Sequence, residues 1–574
     1  MNEIIIGIDL GTTNSEVAVV RNGKSHVIEI EGSEIIPSVV GLANDGRLLV
    51  GRTAHNQWTL YPERTVRSVK RKMGEDVKIS MGEQQYTPQE ISAIILRRLR
   101  QAAEEFLDQK ITKAVITVPA YFSDAQRQAT RDAGELAGLE VVRIINEPTA
   151  AALAYEVDHT SERIILVYDL GGGTFDVSVV RVEKDVTEVL ASHGNNHLGG
   201  DDFDTCIINY MVDWLKREHN VDPSNNRVAM ARLGRTAEKT KIALTNEPYV
   251  QIEEEYLLEH AGKPVHLSLE LSRVDYEQMI TDYVNETLEA VHIALHGANL
   301  TVRDIDEILL AGGATRTPLI KQLLEQDLGM QPRSEVNPDL CVATGASIQA
   351  AVIAGQQVAS VLLDITPYTF GTSALGELYG EPYPNVFIPL IRKNTAIPVT
   401  KGESFSTVID KQEKIEVKVY QGEDKDALNN TEIGSFIVTG LSKVPAGNII
   451  IITFSLDLNG ILHVTAREKR TGLQKHISID NATSRFKQEE LFAAKERIAT
   501  LMGDTSSKQS PHNITQAHAL LAKASVLIEH AMADDREDLI NLAEALRDAL
   551  ADDDEQAIEQ ARLELSDLIF YLEN

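Results

Sequence analysis

One stretch of this chain occurs twice, and that duplication limits the folds open to it more than any other feature. Residues 4–20 read IIIGIDLGTTNSEVAVV and residues 164–180 read IILVYDLGGGTFDVSVV. In each copy an apolar run ends in Asp-Leu-Gly, crosses a Gly/Thr-rich turn and resumes with alternating apolar residues, the pattern of a β-hairpin. Gly11, Gly171, Gly172 and Gly173 are expected to use the positive φ that glycine allows in such turns. A single copy is compatible with an ordinary hairpin. Two matched copies, each placed to open its own half of a domain, point to more. Glycines let backbone N–H groups approach phosphate oxygens, Thr hydroxyls add donors, and a neighbouring carboxylate can hold a hydrated metal ion. Two such loops across a cleft would grip a nucleotide from both sides.

At 574 residues the chain exceeds what one core can fill, and two to four domains are expected. A formal charge of −31 argues against nucleic acid as a partner, because phosphates are repelled over most of the surface. Two cysteines, Cys206 and Cys341, exclude a disulfide framework and a cysteine-built zinc site. The first residues carry no basic-then-apolar leader, and no apolar run reaches membrane length, so a cytoplasmic protein without membrane contact is expected.

Strand-like runs at 4–10, 16–20 and 25–30 precede an amphipathic helix at 88–107, announced by Thr87-Pro88. AVITV at 114–118 is a buried strand stopped by Pro119, and Ser123 opens a helix that Gly138 ends. A strand at 141–145 runs into a helix at Glu147-Pro148-Thr149. The alternation implies a layered α/β core. In the second half, 235–244 reads as a helix with Glu238 and Lys241 on one face, and a strand at 308–310 delivers Gly312-Gly313-Ala314-Thr315-Arg316 to a helix near Pro318. No GxxxxGK[ST] loop and no GxGxxG fingerprint occur, which sets aside P-loop and dinucleotide-binding chemistry.

Beyond about residue 356 the texture changes. A short apolar segment, Val361-Leu362-Leu363, leads to Asp364, as in a linker able to dock. Period-two alternation then dominates to about 482: Ile415, Val417 and Val419 share one face and charges take the other. The remaining residues are rich in Ala, Leu, Glu and Asp, with helices expected at 487–501, 515–532, 536–550 and 554–572 and a break at 506–513.

Read in order, IDLGTTNS at Ile8, VPAYFSDAQRQAT at Val118, IINEPTAAALAY at Ile144, YDLGGGTFDVS at Tyr168, HLGGDDFD at His197, GGATRTP at Gly312 and FSTVIDKQEKIEVKVYQGE at Phe405 carry a resemblance. The chain resembles the heat shock protein 70 (DnaK-like) chaperones over nearly its whole length, and its compact form is most similar to the HscC branch. The resemblance implies a multidomain protein: a duplicated α/β actin-like ATPase core at 1–357, an interdomain linker at 358–366, a β-sandwich peptide-binding domain at 367–482 and a C-terminal helical lid at 483–574.

It also implies roles. Gly11, Thr12 and Thr13 would hold phosphate from one lobe, and Gly171, Gly172, Gly173, Thr174, Gly199 and Gly200 from the other. Asp9, Asp169 and Asp176 would hold hydrated Mg2+, with K+ as a monovalent companion. Lys70 and Glu147 would orient the attacking water, with Thr174 and Asp176 beside them. Glu238, Lys241 and Thr245 would flank the adenosine of ATP or ADP, and Gly312, Gly313, Arg316 and Asp339 its far side. Thr372, Leu375, Phe405, Val408, Ile415 and Val417 would form the peptide pocket, Leu375 and Val408 arching over it. Pro119, Arg127, Arg143, Asn146, Gln349 and Asp364 would line the linker and J-domain contact. The implied partners are unfolded or extended polypeptides, a J-domain co-chaperone and a nucleotide-exchange factor.

Departures qualify the resemblance. The segment between Met73 and Pro88 is short, reducing a surface that partners read. Ala314 replaces a usual polar residue, Asn459 a usual Asp, and Ala359-Ser360-Val361 an acidic and aliphatic linker start, so weaker docking is expected. Extra residues with Tyr379 and Tyr383 adjoin the pocket. No acidic EEVD-type tail follows Asn574, so co-chaperones reading it are not expected. A sugar or polyol kinase and a filament-forming actin relative share the duplicated hairpins, but both leave 358–574 without a use.

Overall fold

The computed structural model describes residues 3–155, 162–183, 186–333, 337–356, 361–478 and 488–501, and further on 520–521, 523–524, 536, 539, 541–547 and 555–573. The chain divides into two compact units, Met1–Lys495 and Glu496–Asn574.

Both duplicated stretches are antiparallel hairpins, and both hairpins build a sheet of the same plan. Ile5–Leu10 pairs with Asn14–Arg21, placing Asp9 opposite Glu16, and Lys113–Val118 and then Glu140–Asn146 add in parallel on the other side. Arg163–Leu170 pairs with Phe175–Glu183, placing Asp169 opposite Asp176, and Glu307–Ala311 adds in parallel. Near-continuous burial of these strands fits sheets covered on both faces.

Between the sheets lie two helices, Glu147–Ala154 and Cys341–Ile353. Their Ala150, Ala151, Ala346 and Ala350 share one apolar core with Val115 of the first sheet and Val167 and Leu309 of the second. Small residues permit this approach: a Cβ on Gly345 would lie 1.7 Å from the Ala150 carbonyl oxygen. The expected helix at 88–107 is Pro88–Leu107, with Thr87 and Glu90 forming a reciprocal cap. Ser123 and Gln126 cap Asp124–Leu136 in the same way. The helix expected at 235–244 begins earlier, as Arg227–Leu244, because the Asn226 side chain accepts from the Ala229 N–H and nucleates an extra stretch. The strand expected at 25–30 is shorter, Lys24–Val27.

The linker is a strand. Val361–Ile365 pairs in parallel with Val186–Asn195 and antiparallel with Ala396–Ile397, continuing the second sheet. Residues 358–360 lie outside the described residues.

After the linker come two four-stranded sheets around one core, Phe370, Val417 and Val419 meeting Ile450, Phe454 and Val464. Val417 and Val419 are buried, Ile415 packs against them and Lys414 and Glu416 face solvent, as the alternation requires. Gln488–Leu501 and Glu555–Glu573 are helical. In the second unit Leu539, Leu546, Leu565 and Ile569 form a small core. The expected break at 506–513 and most of the helix expected at 515–532 fall outside the described residues, whereas 541–547, within the helix expected at 536–550, is helical.

Candidate functional site

The two hairpin turns meet over a cleft lined by Asp9, Gly11, Thr12 and Thr13 from one and Asp169, Gly171, Gly172 and Thr174 from the other. None of Gly11, Gly171, Gly172 or Gly173 takes the expected positive φ. Space is what requires glycine at positions 11, 172 and 173. A Cβ on Gly172 would lie 1.8 Å from Thr13 Oγ1, one on Gly173 2.6 Å from Thr12 Cγ2, and one on Gly11 2.0 Å from the Asn14 carbonyl oxygen. Gly199 presses the same turn from behind, its Cβ position 2.6 Å from the Gly172 carbonyl. Gly312 differs from these in needing its left-handed φ of 80°, and it lies against the Leu170 carbonyl.

Lys70 sits in a short turn, Val69–Lys72, fully buried, and its Nζ donates to Glu147 at the start of the helix Glu147–Ala154. Burial works against the ammonium, but Glu147, Asp9 and Asp169 outweigh it and hold Lys70 above its ordinary value. Burial pushes Asp169 and Glu16 well above the usual carboxylate range and Asp176 to about 7, the latter opposed by the Tyr121 N–H and Lys70. Asp176 stands behind the cleft lining, its Oδ1 accepting from the Tyr121 N–H at 3.0 Å, while Asp9 accepts from Thr117 Oγ1 at 2.8 Å.

Acidic groups thus outnumber Lys70 around one small space, a donor set that fits a cation. Among the described residues no three His, Cys, Asp or Glu side chains converge closely enough to bind one directly. A hydrated ion, held through water and phosphate oxygens, suits that spacing. Thr13 Oγ1 is buried without a hydrogen-bond partner, a free hydroxyl beside the turn where a phosphate oxygen would lie.

The cleft holds a cavity of about 80 Å³. Gly312, Gly313 and Asp339 line its far wall, and Arg316 pairs with Asp339 at 2.5 Å. Glu238, Lys241 and Thr245, expected beside adenosine, are not among its lining residues. Glu238 faces Arg67 at 3.5 Å and His55 at 3.7 Å in a neighbouring pocket, with Arg67 stacked 3.8 Å over Trp58. Lys241 donates to the Gly200 carbonyl at 3.0 Å and pairs with Asp204 at 2.9 Å, and Thr245 caps its helix.

Several residues of the site escape a reading by pattern. Glu16, in the cleft wall, lies on an alternating strand where a charge reads as solvent-facing. The duplication holds the signal: Glu16 opposes Asp9 as Asp176 opposes Asp169. Arg67, His55 and the Arg71–Asp202 pair join the lobes without any local motif.

In the β domain, Thr372, Leu375, Phe405, Val408, Ile415 and Val417 line one cavity of about 400 Å³. Phe405 and Ile415 pack on the core as well as lining the cavity. Leu375 and Val408 are 60% and 61% exposed at its mouth. A bulge aims Leu375: pairing steps from Ala374↔Val386 to Gly376↔Tyr383, setting Pro384 and Asn385 against one residue.

A third constellation joins the linker to the first sheet. Asp364 is buried and accepts twice from Asn146 Nδ2, at 3.0 and 2.9 Å. Arg127 reaches Asn146 Oδ1 at 2.7 Å and the Ala120 carbonyl at 3.0 Å. Arg143 faces Asp364, burial holding its guanidinium below its ordinary value. Pro119 ends the strand and accepts from the Phe122 N–H, and Gln349 is buried on the helix Cys341–Ile353. The β domain is seated here too: Asn459 Oδ1 accepts from the Ile144 N–H at 3.0 Å and Asp124 Oδ1 from the Leu462 N–H at 3.1 Å.

A cleft of facing Gly/Thr turns with a buried lysine, an apolar groove in a separate pair of sheets and a docked linker between them therefore occur in one chain. A family model described as Hsp70 protein matches residues 5–572, and the chain belongs to the Hsp70 family.

Proposed function

We propose that this chain is an ATP-dependent chaperone of the compact HscC-like kind, which binds and releases extended apolar polypeptide segments as it hydrolyses ATP in an actin-like core. Family membership supplies the general terms: Hsp70 proteins are ATPases that use ATP and ADP with Mg2+ and act as chaperones. The single observation that carries the finer reading is the Asp364–Asn146–Arg127 chain, which ties the linker of the β domain to the wall of the phosphate cleft.

In this reading Gly11, Thr12, Thr13, Gly171, Gly172, Gly173 and Thr174 bind the phosphates, whose negative charge the turns' N–H groups and hydroxyls meet without reorganisation. Asp9, Asp169 and Asp176 would hold hydrated Mg2+, which would supply positive charge opposite the phosphates. Lys70, held by Glu147, orients the attacking water and stabilises charge in the transition state; phosphoryl transfer asks little else of the protein. Glu238, Lys241, Thr245 and Arg316 flank adenosine once Glu238 and Lys241 leave their present partners. K+ fits the same acidic wall. The groove takes an extended peptide by backbone hydrogen bonds, with the Leu375–Val408 arch over it. Pro119, Arg143 and Gln349 complete the face that a J-domain partner reads.

No described helix is long and apolar enough to cross a membrane. Steady-state ATP turnover with an unfolded peptide, and separately with glycerol or glucose, tests this reading. Stimulation by the peptide alone is expected; stimulation by a polyol would put a small-molecule kinase in its place.

A further inference from the structure

The strand Phe370–Leu378 that carries Leu375 runs on past the cavity as one arm of a hairpin with Glu381–Ile391, turning at Tyr379-Gly380. Tyr383, one of the extra residues beside the pocket, donates its hydroxyl to the Asp426 carboxylate at 3.1 and 3.0 Å, and Asp426 in turn caps the short turn Ala427–Asn429. That contact braces the hairpin, and its two edges differ. Along the outer arm Pro382, Pro384 and Pro389 carry no N–H, and the Phe387 N–H is taken by the Lys425 carbonyl at 2.9 Å. Such an edge resists a further strand. Along the inner arm no proline occurs, and pairing with Lys414–Gln421 stops at Thr372↔Val419. The two strands part there, and the cavity lies in the fork.

Proline cannot donate to a partner strand, so Gly371↔Pro389 and Glu377↔Pro382 are non-hydrogen-bonded pairs. Ser373↔Phe387 is a third, because the Phe387 N–H points to Lys425. In such a pair each residue turns its N–H and C=O away from the other, so those of Ser373 and Glu377, with Leu375 midway, face the fork. Ser373 and Leu375 line the cavity; Glu377 lies beyond it and is exposed. We propose that Glu377 is an outer peptide-binding residue: an extended polypeptide seated in the cavity continues as an added strand onto the hairpin and exchanges backbone hydrogen bonds with Glu377. The occupant is a polypeptide strand because the open edge continues the wall of the apolar cavity and offers donors and acceptors at a strand's spacing. A rung made by backbone reads no side chain, so the hairpin lengthens the footprint without narrowing the choice of sequence. This rests on the reading of the cavity as a peptide groove.

Fluorescence anisotropy of the full chain with ADP reads the affinity of a labelled peptide, SGSLLLSGS, and of versions N-methylated in turn at each residue outside the Leu triplet. In the wild type, methylation at one flanking position is expected to weaken binding about 2- to 10-fold, the scale of one hydrogen bond. Glu377→Pro puts a ring where the donor stood and keeps a strand off the edge. It should weaken the unmodified peptide by a similar factor and leave that methylation without further cost. Methylation free of cost at every flanking position in the wild type would overturn the assignment, as would wild-type affinity of Glu377→Pro or a full additional cost of methylation in it. Equal weakening of the shorter SLLLS, which ends short of the hairpin, would mark a damaged groove and overturn it too. Failure of the wild-type chain to bind any of these peptides would refute the groove reading itself, whereas binding without the Glu377 effects refutes only the outer rung.

Discussion

At the scale of single residues the phosphate cleft depends on contacts closer than ordinary side chains allow. Gly172 shows this most sharply, since a methyl there would fall on Thr13 Oγ1. Gly172→Ala is expected to part the two turns and raise the ATP dissociation constant by more than tenfold; calorimetric titration checks it, and wild-type affinity would deny the two-turn grip. Lys70→Ala should leave ATP affinity near normal while lowering single-turnover hydrolysis by about a hundredfold, because the ammonium acts on transition-state charge. An unchanged hydrolysis rate would remove Lys70 from the chemistry. Asp9, Asp169 and Lys70 are legible in the sequence, the first two from the repeat and the third from the family motif. Glu16 is not, because alternation on a strand buried on both faces no longer separates inside from outside. Gly172 and Gly173 are legible as glycines for the wrong reason: the requirement is room for the opposite turn, which no single-strand pattern records.

At the scale of elements, helices with reciprocal caps and strands with clean alternation are readable, because both signals are local. Pro88–Leu107 and Lys414–Gln421 match their expected cores. The bulge at Leu375 is not readable, since it arises from unequal lengths of two strands that meet across a turn. Val408→Asp should place an unpaired charge at the arch and weaken binding of an apolar peptide by at least tenfold without altering basal ATP turnover; fluorescence anisotropy at wild-type affinity would remove Val408 from the arch. In the same domain buried Glu468 accepts from the Ser442 N–H at 2.9 Å, from Asn448 and from Thr471. Burial opposes its charge, but these hydrogen bonds prevail and hold the carboxyl at about 2. A carboxyl depressed below its unfolded value of about 4.3 adds stability that is fully present above that pH. That stability is lost as pH falls toward 2. Urea unfolding of the β domain should therefore show a drop in midpoint between about pH 4 and pH 2 that Glu468→Gln lacks; parallel pH profiles would contradict it.

Over the whole molecule, the sequence marks the linker as short and apolar, and in the structure Val361–Ile365 is a paired strand and Asp364 is buried. The pairing uses backbone groups of Val361, Leu362 and Leu363, which do not depend on the side chains the linker carries. What no local pattern could give is the network around it, because Asn146 and Arg127 reach Asp364 from elements far away in the chain. If ATP favours the seated arrangement, its effect on peptide can be no larger than its difference in affinity for the seated and unseated states. The most direct test is stopped-flow release of a fluorescent peptide after ATP is added to the wild-type and Asp364→Ala chains. The account predicts that ATP speeds release from the wild type at least tenfold and that Asp364→Ala loses most of that acceleration while keeping ATP binding and ADP-state peptide affinity. Release from the wild type that is indifferent to ATP, or equal acceleration in Asp364→Ala, would contradict it.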